Sequence, residues 1–197
     1  MNFKLLYIII IIQALLGVAC IHKEEPNSAK PQGYFRIATP EPDYKVWDSI
    51  LPFTFQYNKM AQFTIVKKVE NNYWMDLYYP QYNASLKMTM ISLKNDLREH
   101  VVNEEKMLMF HVEKRKADDI QYSIINDSKE KIYGQLYEIV GKEAATPLKF
   151  WISDSSNYYV RATLYFNFVP NNDSLEPVIK YLKSDVLKMI DTWKWEK

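Results

Sequence analysis

From Phe53 onward the chain alternates apolar and polar residues with a period of two, and that pattern, repeated in stretch after stretch, limits it to sheets with one apolar face. Phe53, Phe55 and Tyr57 fall on one side of a first strand, Phe63, Ile65 and Val69 on that of a second. Met75, Leu77 and Tyr79 define a third, and Ala84, Leu86, Met88 and Met90 a fourth. Further strands are predicted over Ile132 to Val140 and Leu148 to Ser153. The longest alternation, Tyr158 to Val169, sets Val160, Ala162, Leu164, Phe166 and Phe168 against Tyr159, Arg161, Thr163, Tyr165 and Asn167. Asp154-Ser155-Ser156-Asn157 joins the last two as a hairpin turn, since Asp and Asn bond their own backbone and tolerate left-handed geometry.

Two helices interrupt the strands. The first is predicted to start with Asn95 as N-cap, to carry Leu97, Val101, Glu104, Leu108 and Val112 at helical spacing, and to end in the charged run Glu113 to Asp119. The second opens on Asp173 as N-cap with Glu176 completing a capping box, and Pro177 falls in its first turn. Its stripe of Leu175, Val178 or Ile179, Leu182, Val186, Ile190 and Trp193 is built to pack on a sheet. The expected fold is α+β, an antiparallel β-sheet flanked by helices in an α/β/α sandwich, as a single domain over residues 53–197.

The N-terminus reads as an address. Residues 1–19 combine Lys4, the apolar run Leu5 to Leu16, and the small residues Gly17 and Ala19, the layout of a secretory signal peptide. The run is shorter than the ~20 apolar residues of a spanning helix. Cys20 follows immediately and is the single cysteine of the chain. Its position resembles a lipobox, with Gly17 where Leu is usual; ordinary cleavage after Ala19 is the alternative. Acyl chains on Cys20, palmitate among them, would anchor the protein to the membrane, each buried CH₂ contributing ~0.8 kcal/mol. Residues 20–52 hold five of the nine prolines and read as a tether, in which Tyr34-Phe35-Arg36-Ile37 could dock as a short edge strand. With Lys4 removed, 24 basic residues face 24 acidic ones, so no broad basic field exists for nucleic acid.

The inventory of reactive groups is short. Beyond the tether's His22 the histidines are His100 and His111, no Gly-x-Ser-x-Gly elbow occurs, and the four glycines are too scattered for a phosphate loop. His100, Glu104 and His111 share a helix face, but eleven residues at 1.5 Å each separate the histidines by about 16 Å, too far for one metal ion. Asp76, Asp118 and Asp119 have no spacing that predicts proximity. No catalytic residue, metal or cofactor is expected. Aromatic neighbours such as Tyr73-Trp74, Phe150-Trp151 and Tyr158-Tyr159 place one ring in the core and one on the opposite face. That second set is either a binding surface or packing beneath a helix. Tyr159, Arg161 and Tyr165, on one face of the longest strand, are the candidate partner-binding residues.

In order along the chain, Pro52-Phe53-Thr54-Phe55-Gln56-Tyr57, Trp74-Met75-Asp76-Leu77-Tyr78-Tyr79-Pro80, Lys116-Ala117-Asp118-Asp119-Ile120, Tyr133-Gly134-Gln135-Leu136-Tyr137, Leu164-Tyr165-Phe166 and Pro170-Asn171-Asn172-Asp173-Ser174-Leu175 resemble the gliding motility-associated lipoprotein GldD family of Bacteroidetes. Asp154-Ser155-Ser156-Asn157 and Thr192-Trp193-Lys194-Trp195 belong to the same likeness. It implies an envelope lipoprotein, most simply of the outer membrane, that supports the gliding and type IX secretion machinery through contacts with other lipoproteins and envelope proteins. It implies no catalytic residue, and a sheet similar to that of PsbP and Mog1-like domains. Members of the family often carry cysteines where this chain has Leu51 and Tyr73, so the resemblance also implies that a disulfide of the first strands is missing here. A ligand-binding lipoprotein, for glycan or hydrophobic ligand, is the alternative reading.

Anchoring through Cys20 is directly testable. Cys20→Ser should move the protein from the membrane to the soluble envelope fraction on detergent-free fractionation; retention in the membrane pellet after repeated washing would contradict the lipid anchor.

Overall fold

The computed structural model describes residues 37–196, except Ser49, residues 115–116, Glu143 and the side chains of residues 111–114. The signal peptide, Cys20 and the segment Tyr34-Phe35-Arg36 lie outside the described residues. Strands β1 (Tyr44–Trp47), β2 (Phe53–Asn58) and β10 (Lys194–Trp195) form a small antiparallel sheet in the order β1-β2-β10. A seven-stranded antiparallel sheet contains β3 (Gln62–Val69), β4 (Asn72–Tyr79), β5 (Ala84–Ser92), β6 (Asp119–Asp127), β7 (Ile132–Val140), β8 (Leu148–Ser153) and β9 (Tyr158–Phe166). Its spatial order is β3-β4-β5-β9-β8-β7-β6. Helix α1 (Leu97–Lys114) follows β5, and α2 (Asn172–Asp191) follows β9. The fold is α+β with antiparallel sheets and two helices, as the alternation implied.

Alternation decides which face of the large sheet is dry. Met75, Leu77, Leu86, Met88, Phe150, Ile152, Ala162 and Leu164 all point to one side and are at most 2% exposed. Against them pack Leu182, Val186, Met189 and Ile190 of α2 and the rings of Phe53 and Phe55 from the small sheet. Trp193 stacks on both rings, at 4.3 Å from Phe53 and 5.2 Å from Phe55, centroid to centroid. The predicted stripe of α2 is therefore the inner layer of the core. Leu51 and Tyr73 are both buried and line one cleft at its margin.

Three local expectations are corrected. Strand pairing begins before Phe53 among the described residues, because Tyr44–Trp47 pairs along β2 from Tyr44↔Asn58 to Trp47↔Phe55 and Trp47 packs on Phe63; the proline-rich composition hid a strand that takes its partner from later sequence. Helix α2 is capped by Asn171, so Asp173 and Glu176 fall within the helix and form no capping box. The Asn172 side chain instead donates to the carbonyls of Gly141 (2.7 Å) and Ala144 (3.0 Å), tying the helix start to the β7–β8 loop. Helix α1 begins one residue later than expected, after Asp96, while Asn95 takes a left-handed turn at φ 65°. The Asp154 turn forms as predicted, its Oδ1 accepting the amides of Ser156, Asn157 and Tyr158 at 2.8–3.0 Å.

A buried acid pins α2 to the small sheet. Asp185 is 1% exposed and accepts from the Tyr44 hydroxyl at 2.9 Å and the Asn58 amide at 3.1 Å. Burial holds its carboxyl above the usual 3.8, and the donors on Tyr44, Asn58 and Tyr79 pull the other way without overcoming it. Because the folded state keeps this proton to higher pH than the unfolded chain, its contribution to stability is full below 3.8 and declines as pH rises through the folded value. Asp185→Asn should remove that decline. Thermal melts from pH 3 to 8 should show the variant gaining on the wild type as pH rises; parallel pH profiles would refute the assignment.

Candidate functional site

The other face of the large sheet is the one with chemistry. Along β9 it presents Tyr159, Arg161, Thr163 and Tyr165, along β8 Lys149 and Trp151, along β5 Lys87 and Thr89, and along β4 Trp74 and Asp76. Helix α1 lies over this face and meets it through Glu104, the one side chain between Leu97 and Phe110 that is fully buried. Leu97, Val101 and Leu108, expected to pack apolar against the sheet, are only half-buried. Glu104 Oε1 sits 2.5 Å from Lys149 Nζ, with each side chain 3% exposed, and Glu104 Oε2 is 3.6 Å from the Arg161 guanidinium. A helix is thus fastened to a sheet by a carboxylate set between two cations.

One turn earlier, His100 stacks on Tyr159 with ring centroids 5.2 Å apart, and Tyr159 stacks in turn on Trp151 at 5.8 Å. Burial and the neighbouring Glu104 push the Tyr159 phenol well above its ordinary pKa. Asp96, whose carboxylate takes the Lys94 amide and lies 3.6 Å from His100, is held below the usual value chiefly by that amide bond.

Beside the ion pair the face opens into a groove of about 400 Å³ edged by Trp74, Asp76, Lys87, Met107, Arg161 and Tyr165. Arg161 remains 38% exposed there, and its Nη1 also donates to the Met107 sulfur at 3.5 Å. The Lys87 ammonium lies over the Tyr165 ring at 6.0 Å. Asp76 accepts from Ser85 through one oxygen, and its other oxygen is buried with no hydrogen-bond partner. The groove can hold a polar ligand or side chain: the Arg161 and Lys87 cations donate hydrogen bonds to carboxylate or sulfate oxygens, and the free Asp76 oxygen accepts one from a hydroxyl or amine.

The three residues singled out on the longest strand do share a face, with different surroundings. Tyr159 is 1% exposed beneath α1 and is part of the helix's seat, so its ring is not presented to a partner. Arg161 and Tyr165 stand at the groove. Trp74 is the outward ring of the Tyr73-Trp74 pair, whereas Lys149 and Lys87 were not marked by the sequence reading; the signal available was a lysine inside the run Leu148 to Ser153, at a position where both neighbours are buried. Asp118 and Asp119 lie far along the chain's fold, at the start of the edge strand β6. The His111 side chain is outside the described residues. Among the described residues no three His, Cys, Asp or Glu side chains are grouped to hold a metal ion, and no helix is long and apolar enough to cross a membrane.

The family model for the gliding motility lipoprotein GldD matches residues 24–195, which takes in both sheets and both helices. The chain belongs to that family. Membership makes it a lipid-anchored protein of the cell envelope with a role in gliding motility. Among solved structures the chain is similar to the solution structure of cyanobacterial PsbP (CyanoP) from Synechocystis, at 13% identity and a TM-score of 0.42, covering 79% of this chain and 97% of that one. A comparison with curated protein sequences returned no match.

The ion pair makes a sharp prediction. Glu104→Ala strands the Lys149 ammonium beneath α1 and should cost about 3–5 kcal/mol in urea unfolding, whereas Glu104→Leu combined with Lys149→Met should recover most of that loss. An unchanged urea midpoint for Glu104→Ala would show that α1 is held by something else.

Proposed function

We propose that the protein is a non-catalytic scaffold, anchored through Cys20 at the outer membrane, that supports the assembly or stability of the gliding motility and type IX secretion machinery. The observation that carries this reading is how the acidic and basic groups of the outer face are used. Glu104 and Lys149 are committed to holding a helix, with Arg161 at their edge and His100 stacked on Tyr159 beside them, and the arrangement contains no nucleophile set against a base. What the same region offers outward is contact surface: Val102, Met109 and Phe110 of α1 are 38–56% exposed, and Arg161 and Tyr165 rim the groove. Aromatic residues, Met and Arg are the residue types enriched at protein interfaces. Other lipoproteins and envelope proteins of the machinery are the expected partners.

A second reading, a ligand-binding lipoprotein, is favoured by the groove itself. Trp74 and Tyr165 offer ring surface, Arg161 and Lys87 offer cations, and the volume suits one or two sugar rings.

Complementation of a deletion strain separates these from catalysis. Under the scaffold reading His100→Ala should restore gliding and secretion, while Arg161→Ala with Tyr165→Ala, shown to fold by thermal melt, should restore neither. Full complementation by the groove variant together with loss in a folded His100→Ala protein would reverse the conclusion and point to chemistry at the histidine.

A further inference from the structure

The two edges of the seven-stranded sheet are built differently. An edge strand offers a row of unpaired amides and carbonyls to any passing strand, and proteins commonly blunt it with lysines, proline or a bulge. β3, at one edge, is blunted: its register against β4 slips between Ile65 and Lys67, and Lys67 and Lys68 project there, lying over the rings of Trp74 and Tyr73 at 5.4 and 5.0 Å. β6, at the other edge, has none of these devices. It pairs with β7 in unbroken register over all nine residues, Asp119↔Val140 to Asp127↔Ile132, and its sequence Asp-Ile-Gln-Tyr-Ser-Ile-Ile-Asn-Asp contains no lysine, arginine or proline. Among the described residues no strand lies on its far side. Tyr122 is 66% exposed and Ile124 73% exposed, adjacent on the face that also carries Tyr137.

We propose that the β6 edge is a strand-addition site, taking an extended segment of an envelope partner antiparallel to Asp119–Asp127. Main-chain hydrogen bonds would hold the segment, and alternate apolar side chains would meet Tyr122 and Ile124. Charge identifies the occupant's ends. The strand carries an acid at each terminus, Asp119 and Asp127, and no base between them, so the segment it fits is apolar-alternating with Lys or Arg at both ends. The same acids argue against a second copy of the chain: in the full-length twofold register Asp119 of one protomer would face Asp127 of the other, twice, and like charges directly opposite destabilise a pair. Two seven-stranded sheets would also make one of fourteen strands, beyond the roughly ten that a twisted open sheet sustains.

The inference rests on the scaffold reading, and binding in vitro is a readout separate from gliding in cells, so either can fail alone. The mature chain in detergent micelles would be mixed with a blocked synthetic peptide in which valine and threonine alternate between paired lysines, and amide hydrogen exchange followed by mass spectrometry. Peptide should slow exchange across residues 119–127 by about tenfold or more and leave β3 unchanged. Ile124→Lys, at a solvent-facing position that does not disturb the core, should abolish the protection, while the matching change on the opposite edge, Val66→Lys, should not. A peptide with paired aspartates in place of the lysines should bind at least about tenfold more weakly. No protection of β6 at millimolar peptide, protection of β3 instead, or equal binding of the acidic peptide would overturn the proposal. So would β6 amides already protected in a chain that sediments as a dimer, which would assign the edge to a second copy.

Discussion

A seven-stranded sheet has two faces to cover, and in this chain one of them is aliphatic and the other is not. The aliphatic face is closed by α2, by the small sheet and by Trp193 lying on Phe53 and Phe55, a layer whose buried contacts are chiefly apolar. The opposite face carries lysine, arginine, threonine, tyrosine and tryptophan, and a helix laid over such residues cannot be held by apolar burial alone. The Glu104–Lys149 pair answers that constraint. It places a carboxylate where the sheet already presents an ammonium, and the groove beside it exists because α1 covers the face only in part.

The consequence for function is a division of labour between the faces. Among the described residues, exposed charges and rings are carried by the outer face, the exposed side of α1 and the sheet edges. The outer face combines fixed charge with exposed rings, which suits contact with a partially polar surface. Asp185 performs on the dry side the service that Glu104 performs on the wet one: a single buried acid, met by donors from other elements, fixes where a helix lies along its layer. In each case the acid specifies position and the surrounding residues supply the bulk of the burial.

What could be read from the sequence follows the same division. Strands with one buried face announced themselves by period two, and β7 and β8 fall at the expected residues. The stripe Leu182, Val186, Ile190 and Trp193 located the inner helix. β6 was missed because its burial is slight, with Ile120 and Ile125 only half-buried and Tyr122 and Ile124 exposed, so its residues show little alternation. β1 was missed for a different cause: it is made a strand by pairing with β2, not by its own composition. Glu104 was visible as a member of a helical face, but its role depends on Lys149, 45 positions later and two strands removed, and no local rule links them. Tyr159 and Tyr165 look alike in sequence; only the path of α1 decides that one ring is covered and the other open.

The seam between β5 and β9 sets the order in which the molecule can be completed. The sheet is two meanders, β3-β4-β5 and β6-β7-β8-β9, joined only where Ala84–Ser92 meets Tyr158–Phe166, and the small sheet is closed by β10 at the last residues of the chain. The near-parallel stack on Phe53 and Phe55 is missing until Trp193 arrives. Contacts of such long sequence separation form late, since loop closure must precede any gain from them. Were the chain delivered N-terminus first across a membrane, the layer over Phe53 and Phe55 would therefore stay open until Trp193 had followed.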